Sequence, residues 1–522
     1  MNTTTLTLTP EQGAVVDSSA DPGHLVVEAL AGTGKTSTVE AITKAHRAST
    51  LYIAFNRQPV NEAKTRMASG VRCATIHELA YRAIGDPWTS RTRAPRMKSS
   101  RIANLLGLDD TWLSGPWGNK RISAGFLGGM VTRALQSFAK TGDDRPGPQH
   151  VPIPRAARND PDMLLLFREI RSLITPTLAK AWQLTTAPDG ELPLDGNMVI
   201  KMWQLSGPIL AWDRIIIDEA QDLNDAARAV IEAQMGRAQV IAVGDTFQQI
   251  NAWNGAVNAL QKFPIERRLW LTHCWRFGPT LAEPANQVLD ELGSAHQLVG
   301  RGPDGVIEPL DDPDIRLSRT NAEAVARALE VIESGGRPHI IGGASDVVSF
   351  CKGALQLQNG RAPEHPELVC FDSWGDVLAY AAEDELGGDL APLVELIRRF
   401  GAQVIVDTMD RQPPENRATV ILSTTHKIKG RQWNRVQIAP DFEVLPSDPF
   451  NEVEELRLLY VATTRARTAI DLSMVPYFPE HRPNQPMEET PDEKRTAQTN
   501  GGLQPPAEAP AIAPTGGGTD DD

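Results

Sequence analysis

Short apolar runs rich in β-branched residues alternate with stretches of helical character along most of the chain. This is the pattern of α/β units built on a parallel sheet. Residues 25–27, 51–55, 72–75, 215–218, 240–243 and 269–272 read as strands of one sheet, with polar or glycine-containing exits. Residues 315–318, 339–341, 419–423, 436–439 and 469–472 form a second set and predict a second α/β domain. Two segments interrupt the rhythm: 88–205, rich in Arg, Trp, Pro and Gly, and 344–414, which reads mostly helical. Both look like insertions. The expected organisation is a first domain from 1–87 and 206–277 carrying the insertion 88–205, then a second from 278–343 and 415–480 carrying the insertion 344–414. Residues 481–522 follow as a tail.

The 522 residues are 41% hydrophobic and 23% charged, an ordinary composition for a soluble globular chain. No window approaches the roughly 18 consecutive apolar residues of a membrane span. The threonine-rich start lacks a charged-then-apolar signal pattern, so a cytoplasmic location with no membrane partner is expected. Cys73, Cys274, Cys351 and Cys370 lie far apart, which suggests neither a disulfide framework nor a zinc or iron–sulfur ligand set. A net charge of −14 argues against a nucleic-acid partner until its distribution is considered. Residues 481–522 hold eight acidic and three basic side chains among Pro, Gly, Gln, Thr and Ala, the composition of a disordered tail. Arg91, Arg93, Arg96, Lys98 and Arg101 fall in a run without acids, near Trp88, Trp112 and Trp117. Such a run suits a single nucleic-acid strand, and equally a solvated basic loop.

The chemistry begins after the first apolar run, where residues 29–36 read Ala-Leu-Ala-Gly-Thr-Gly-Lys-Thr. Glycines at 32 and 34 let backbone N–H groups converge on phosphates, Lys35 supplies a charge near the β/γ oxygens, and Thr36 can ligate Mg²⁺. Ala29 stands where the common pattern has Gly. A second element, Ile215-Ile216-Ile217-Asp218-Glu219-Ala220-Gln221-Asp222, is a hydrophobic strand ending in acids. Asp218 can hold Mg²⁺ opposite Thr36, and Glu219 can polarise an attacking water.

With these two elements the chain resembles the superfamily 1 helicases of the UvrD/Rep type, whose acidic motif reads Asp-Glu-x-Gln-Asp. The resemblance runs from about residue 8 to residue 475. It implies two RecA-like P-loop domains that bind ATP and Mg²⁺ between them, with Ala31, Gly32, Thr33, Gly34, Lys35 and Thr36 around the phosphates. Gln12 matches the glutamine that reads the adenine edge. Phe55, Asn56, Thr75 and His77 stand where the family touches single-stranded DNA. Gln248 corresponds to the γ-phosphate-sensing glutamine and Trp253 to a base-stacking aromatic. In Leu271-Thr272-His273-Cys274-Trp275-Arg276-Phe277, Trp275 matches the aromatic over the adenine and Arg276 an arginine on the γ-phosphate. Thr424, His426 and Gly430 belong to a Thr-x-His-x-x-Lys-Gly element at the DNA and nucleotide clefts, followed by Gln432 on the nucleotide side. Arg465 matches the second arginine finger.

Details of three segments look closest to the F-box DNA helicase branch and its phage and bacterial relatives, although no F-box is recognisable. Asn251-Ala252-Trp253-Asn254 lacks one aromatic and one arginine of the family pattern, Gln432 replaces a glutamate, and the second insertion is short. The resemblance implies a monomeric ATP-dependent DNA helicase or translocase. It would move 3′ to 5′ on single-stranded DNA, open single-strand/duplex junctions, and serve replication, recombination or repair. A motor that strips recombinase or other proteins from DNA, and a catalytically weak DNA-binding subunit, are the rival readings.

Overall fold

In the computed structural model the described residues are 7–94, 97–158, 160–251, 255–365, 367–369, 371–382, 390–409, 411–442 and 449–481. Trp253, Arg96, Cys370 and the expected tail from 482 onward lie outside them. In chain order the strands are β1 (Leu25–Ala29), β2 (Thr50–Ala54), β3 (Arg72–Thr75), β4 (Thr111–Gly115), β5 (Gly118–Ile122), β6 (Arg214–Asp218), β7 (Gln239–Gly244) and β8 (Arg268–Leu271). They continue with β9 (His273–Cys274), β10 (Val299–Gly300), β11 (Val306–Ile307), β12 (Ile315–Ser318), β13 (Pro338–Ile340), β14 (Val420–Thr424), β15 (Trp433–Ile438) and β16 (Ala466–Asp471).

Two parallel sheets of six strands result, ordered β3-β2-β6-β7-β1-β8 and β11-β16-β15-β12-β14-β13. The α/β class expected from the strand pattern is therefore the fold, with one strand of the second sheet, the two-residue β11, too short to be read from the sequence. Strand alternation explains how the first sheet is buried on both faces. Ile215, Ile217, Val240 and Ala242 point into a core shared with the insertion residues Leu127, Phe167, Met198 and Trp203. Their neighbours Ile216, Ile241 and Val243 point the other way, against Val15, Val39, Ile42 and Val60 of the flanking helices.

The segment 88–205 is mainly helical and also carries the antiparallel hairpin β4–β5. Helices Ser345–Gln358, Trp374–Ala381, Ala391–Phe400 and Ala402–Met409 of the second insertion share a core with helix Asn321–Glu333 and with Ile340 and Leu422 of β13 and β14. The two insertions also meet: Lys120 of β5 lies 3.2 Å from Asp372. A further core joins both sheets, containing Leu30, Ala31, Phe247 and Ile250 beside Leu317, Val436, Tyr460 and Ile470. Among the described residues no helix is long and apolar enough to cross a membrane.

Candidate nucleotide and nucleic-acid site

Every chemically suggestive loop of the first sheet leaves the carboxyl ends of its strands, where open parallel sheets place their ligands. The phosphate loop follows β1, Asp218 and Glu219 end and follow β6, Asp245 follows β7, and Trp275 and Arg276 follow β8 and β9. Because β7 lies between β6 and β1, Asp245 sits between the acidic pair and the loop. Phe55, Asn56, Thr75 and His77 leave β2 and β3, farther along the same edge.

The loop is shaped for an anion. Gly32 and Gly34 adopt φ of +74° and +83°, where a side chain is strained, and a Cβ on Gly32 would approach Cys274 Sγ to 2.7 Å. Gly34 precedes helix Lys35–Ala45 without a side-chain cap, which leaves the first-turn N–H groups for a ligand. Thr36 is the second residue of that helix. Gln12 and Trp275 flank Gly34: a Cβ there would lie 3.0 Å from Gln12 Nε2 and 3.9 Å from Trp275 Cδ1. Gln12 is fixed by a capping box with Thr9, and its Nε2 donates to Thr33 O at 3.4 Å. The Trp275 indole is half exposed beside the loop, while the Trp275 backbone N–H donates to Gly32 O at 2.9 Å.

Charges concentrate behind the loop. Lys35 Nζ lies 3.2 Å from Glu219 Oε1. Burial opposes the charge on Lys35, but Glu219, Asp245 and Asp218 together push its pKa up. Burial and the adjacent Glu219 raise the Asp218 carboxyl, which accepts from the Tyr52 hydroxyl at 2.6 Å and from the Glu219 N–H at 3.0 Å. Burial works against ionised Glu219 as well, yet Lys35 and Lys429 hold its pKa down. The two carboxylates are thus driven apart in acidity. Glu219 itself adopts φ +53° and accepts from Gln221 Nε2 at 2.5 Å. Gln248 Nε2 donates to Asp245 Oδ2 at 2.7 Å.

Elements of the second sheet reach this cluster. Arg465, buried in the turn between helix Pro449–Thr463 and β16, donates to Val461 O at 2.7 Å, to Thr464 Oγ1 at 2.8 Å and to Arg431 O at 3.4 Å. Burial and the neighbouring Arg276 push its pKa down to about 9, while Glu219 and Asp245 act in the opposite sense. Arg276 donates to Thr464 O at 2.6 Å, and burial lowers its pKa as well. Lys429 Nζ is 2.6 Å from both Asp222 Oδ1 and Gln248 O. Gly430 turns the chain at φ +85°. Gln432 is exposed two residues on.

Lys429, Asp245 and Tyr460 are members of this cluster that sequence reasoning did not single out, although all three lie within motifs quoted for the resemblance. The missing signal was their pairing across hundreds of residues. Asp222 is only 3% exposed, so replacing Lys429 by methionine would leave a buried carboxylate without its cation. A loss of about 3–5 kcal/mol is expected, checked by the midpoint of chemical unfolding.

The strand-contact candidates are arranged less uniformly. Phe55 stacks edge-on against His77 with ring centroids 5.7 Å apart. Asn56 begins helix Arg57–Arg66 but makes no side-chain cap, which leaves its exposed carboxamide uncommitted to the helix. Thr75 Oγ1 instead caps the next helix, accepting from the Glu78 N–H at 3.0 Å. Burial lowers the His77 pKa. Thr424 is buried at the end of β14, and His426 follows it, near Arg319, Glu455 and the Ile250 backbone. In the first insertion, Trp88 Nε1 and Arg91 bond the carbonyls of Thr186, Ala187 and Leu192, so both staple a helix end. Arg93, Lys98, Arg101 and Trp112 remain exposed.

Burial, helped by Arg319 and Lys429 and opposed by Glu455, pushes the His426 imidazole down from 6.5 to about 4. His365 behaves alike, through burial and Arg133. Both are neutral when folded, whereas the unfolded chain takes up their protons first as pH falls. Their contribution is therefore complete above pH 6.5 and is lost as pH drops toward 4. Thermal melts across that window should show falling stability in acid, with a shallower slope in His426→Gln.

A glycine loop opening a helix, an acidic strand end and two arginines, Arg465 buried and Arg276 half-buried, at a junction of two parallel sheets are the features of the P-loop nucleotide-binding class. Residues 12–254 match the AAA domain family, and residues 419–471 match the UvrD-like helicase C-terminal domain. In both segments the chain is similar to the UvrD-like helicases of superfamily 1. F-box DNA helicase protein 1 of Schizosaccharomyces pombe is 28% identical over 89% of this chain and 57% of its own length. F-box DNA helicase 1 of Gallus gallus is 27% identical over 89% of this chain and 49% of its own. The chain thus spans about half the length of the curated relatives it matches. The solved PRRSV helicase covers 88% of this chain at 11% identity with a TM-score of 0.30.

Proposed function

We propose that this chain is an ATP-dependent DNA helicase or translocase that moves 3′ to 5′ on single-stranded DNA and opens duplex at junctions. The observation that carries the reading is the convergence at one cluster of Lys35, Glu219 and Gln248 from the first sheet with Arg465 and Lys429 from the second. We take 1–87 with 206–277, and 278–343 with 415–480, as the two motor lobes. The polarity belongs to the family resemblance.

The residues present fit a nucleoside triphosphate. The loop admits only glycine at its tightest turn, and half-buried Arg276 and buried Arg465 have carbonyl and hydroxyl partners rather than a carboxylate. Bound Mg·ATP supplies the phosphoanhydride whose hydrolysis drives the motor. In this reading the loop from Ala31 to Thr36 cradles the phosphates and Lys35 exchanges Glu219 for phosphate oxygens. Thr36 and Asp218 hold Mg²⁺. Asp218 would supply one carboxylate, within the one or two that Mg²⁺ usually takes beside phosphate and water.

Glu219 orients and polarises the attacking water, and Gln248 senses the γ-phosphate. Arg276 and Arg465 neutralise charge developing on it. Gln12 and Trp275 hold the base, with Gly430 and Gln432 on the sugar side. Phe55, Asn56, Thr75, His77, Thr424, His426 and Trp253 would contact the DNA strand. Since Lys429 bonds Asp222 and Gln248, and Arg465 lies within electrostatic reach of Glu219 and Asp245, only while the lobes are apposed, hydrolysis alters lobe adhesion and hence grip on the strand.

The test is ATPase rate with and without single-stranded DNA, followed by unwinding of duplexes carrying 3′ or 5′ tails. Several-fold stimulation and opening of 3′-tailed duplex alone are expected. Stimulation without unwinding, together with displacement of a recombinase filament, would instead favour a protein-stripping motor. Absence of DNA-stimulated hydrolysis would reject both.

A further inference from the structure

We propose that Tyr460 is a positioning residue whose hydroxyl lets apposition of the two lobes set the posture of the phosphate loop and of Gln248. The inference rests on the motor reading above. Tyr460 lies in helix Pro449–Thr463, five residues before Arg465, and is fully buried. Its ring packs edge-on against Phe247, with centroids 6.4 Å apart. That packing needs no hydroxyl, since a phenylalanine would satisfy it.

The hydroxyl has different work. It accepts from the Ala31 N–H of the phosphate loop at 3.0 Å and donates to Asp245 Oδ2 at 3.2 Å. Both partners belong to loops of the first sheet. Asp245 Oδ2 is also the atom that holds Gln248 Nε2, at 2.7 Å. The Asp245 N–H donates to Gln221 Oε1 at 3.1 Å, and Gln221 Nε2 donates to Glu219. One hydroxyl from the second lobe thus joins a chain of hydrogen bonds ending on the loop, on Gln248 and on Glu219.

When the lobes part, Tyr460 leaves with its helix. Ala31 then loses its N–H acceptor, and Asp245 loses one of the two donors sharing Oδ2. Asp245 Oδ2 is then held by Gln248 without its second donor, so the posture of this carboxylate and of the Gln248 carboxamide bound to it depends on closure. Arg465 follows two residues after the end of that helix and donates back to its Val461 O. Delivery of the arginine and alignment of Gln248 are therefore linked through a single rigid element, and neither is complete in an open molecule.

The experiment is steady-state ATPase of the full chain with saturating single-stranded DNA, comparing wild type, Tyr460→Phe, Gln248→Ala and the double variant, with thermal melts of each. Tyr460→Phe should lower kcat about tenfold with KM for ATP little changed, and the double variant should be no slower than Gln248→Ala alone. If Tyr460→Phe does not fold, Asp245→Asn carries the test and should show the same selective loss of kcat. Wild-type kcat in the variant that folds, or losses that multiply in the double variant, overturn the inference. A wild-type chain without DNA-stimulated ATPase overturns the motor reading instead, so the two failures are distinguishable.

Discussion

Replacing Arg465 by alanine is expected to lower kcat for DNA-stimulated ATP hydrolysis by about 10³–10⁵, with a much smaller change in nucleotide affinity. The reason is electrostatic. Arg465 is 1% exposed, and a second guanidinium, Arg276, is near enough to help burial depress its pKa to about 9. It is still charged at neutral pH. Its hydrogen bonds run to Val461 O, Thr464 Oγ1 and Arg431 O, which satisfy its donors without neutralising its charge. Two neighbouring cations, Arg465 buried and Arg276 half-buried, without direct carboxylate partners favour an anion in the space they face, and most strongly when negative charge grows during phosphoryl transfer. Single-turnover rates and nucleotide titrations separate the two effects. Melting temperatures of Arg465→Ala and Arg465→Lys control for lost internal hydrogen bonds. A kcat within about tenfold of wild type in a folded Arg465→Ala protein would remove this residue from the mechanism.

Glu219→Gln should cost about 10²–10⁴ in kcat, the usual worth of a positioned general base. The side chain keeps its shape and loses only its charge. Glu219 is ionised because Lys35 and Lys429 outweigh the effect of burial, and it is aimed by an unusual φ of +53° and by Gln221. Loss of its charge also frees Lys35 from its 3.2 Å partner, so nucleotide should bind at least as tightly as in wild type. Lys35→Ala should instead lose binding and hydrolysis together. ATPase and equilibrium nucleotide binding on both variants check this contrast. Wild-type unwinding by both would mean that the nucleotide site lies elsewhere.

Much of the architecture was legible because its signals are local. The strand expected at 72–75 is β3, and that at 315–318 is β12, residue for residue. The strands expected at 436–439 and 469–472 extend farther toward the N-terminus, as β15 from Trp433 and β16 from Ala466. Polar and charged residues at those starts, Asn434, Arg435, Arg467 and Thr468, hid strands that pairing with neighbours completes. The hairpin Thr111–Gly115/Gly118–Ile122 was likewise missed: its alternating positions are largely solvent-facing, so hydrophobic patterning was faint. Within the candidate site, Gly32, Gly34 and Lys35 announce themselves by spacing, whereas the role of Lys429 rests on a partner, Asp222, more than two hundred residues away.

By itself the sequence determined what short stretches of chain must do. Branched apolar runs become buried strands, glycines at 32 and 34 permit the loop's positive φ values, and acids at 218 and 219 end a strand, each a consequence of sterics or solvation acting over a few residues. Only the tertiary structure decided which charges face one another. It spent Thr75 on a helix cap and Arg91 on backbone carbonyls, drove Asp218 and Glu219 apart in acidity, and threaded the Tyr460 hydroxyl to Ala31 and Asp245. Those outcomes depend on desolvation and Coulomb interactions between groups remote in sequence, whose strength is set by separation and burial. No reading of neighbours along the chain contains either quantity.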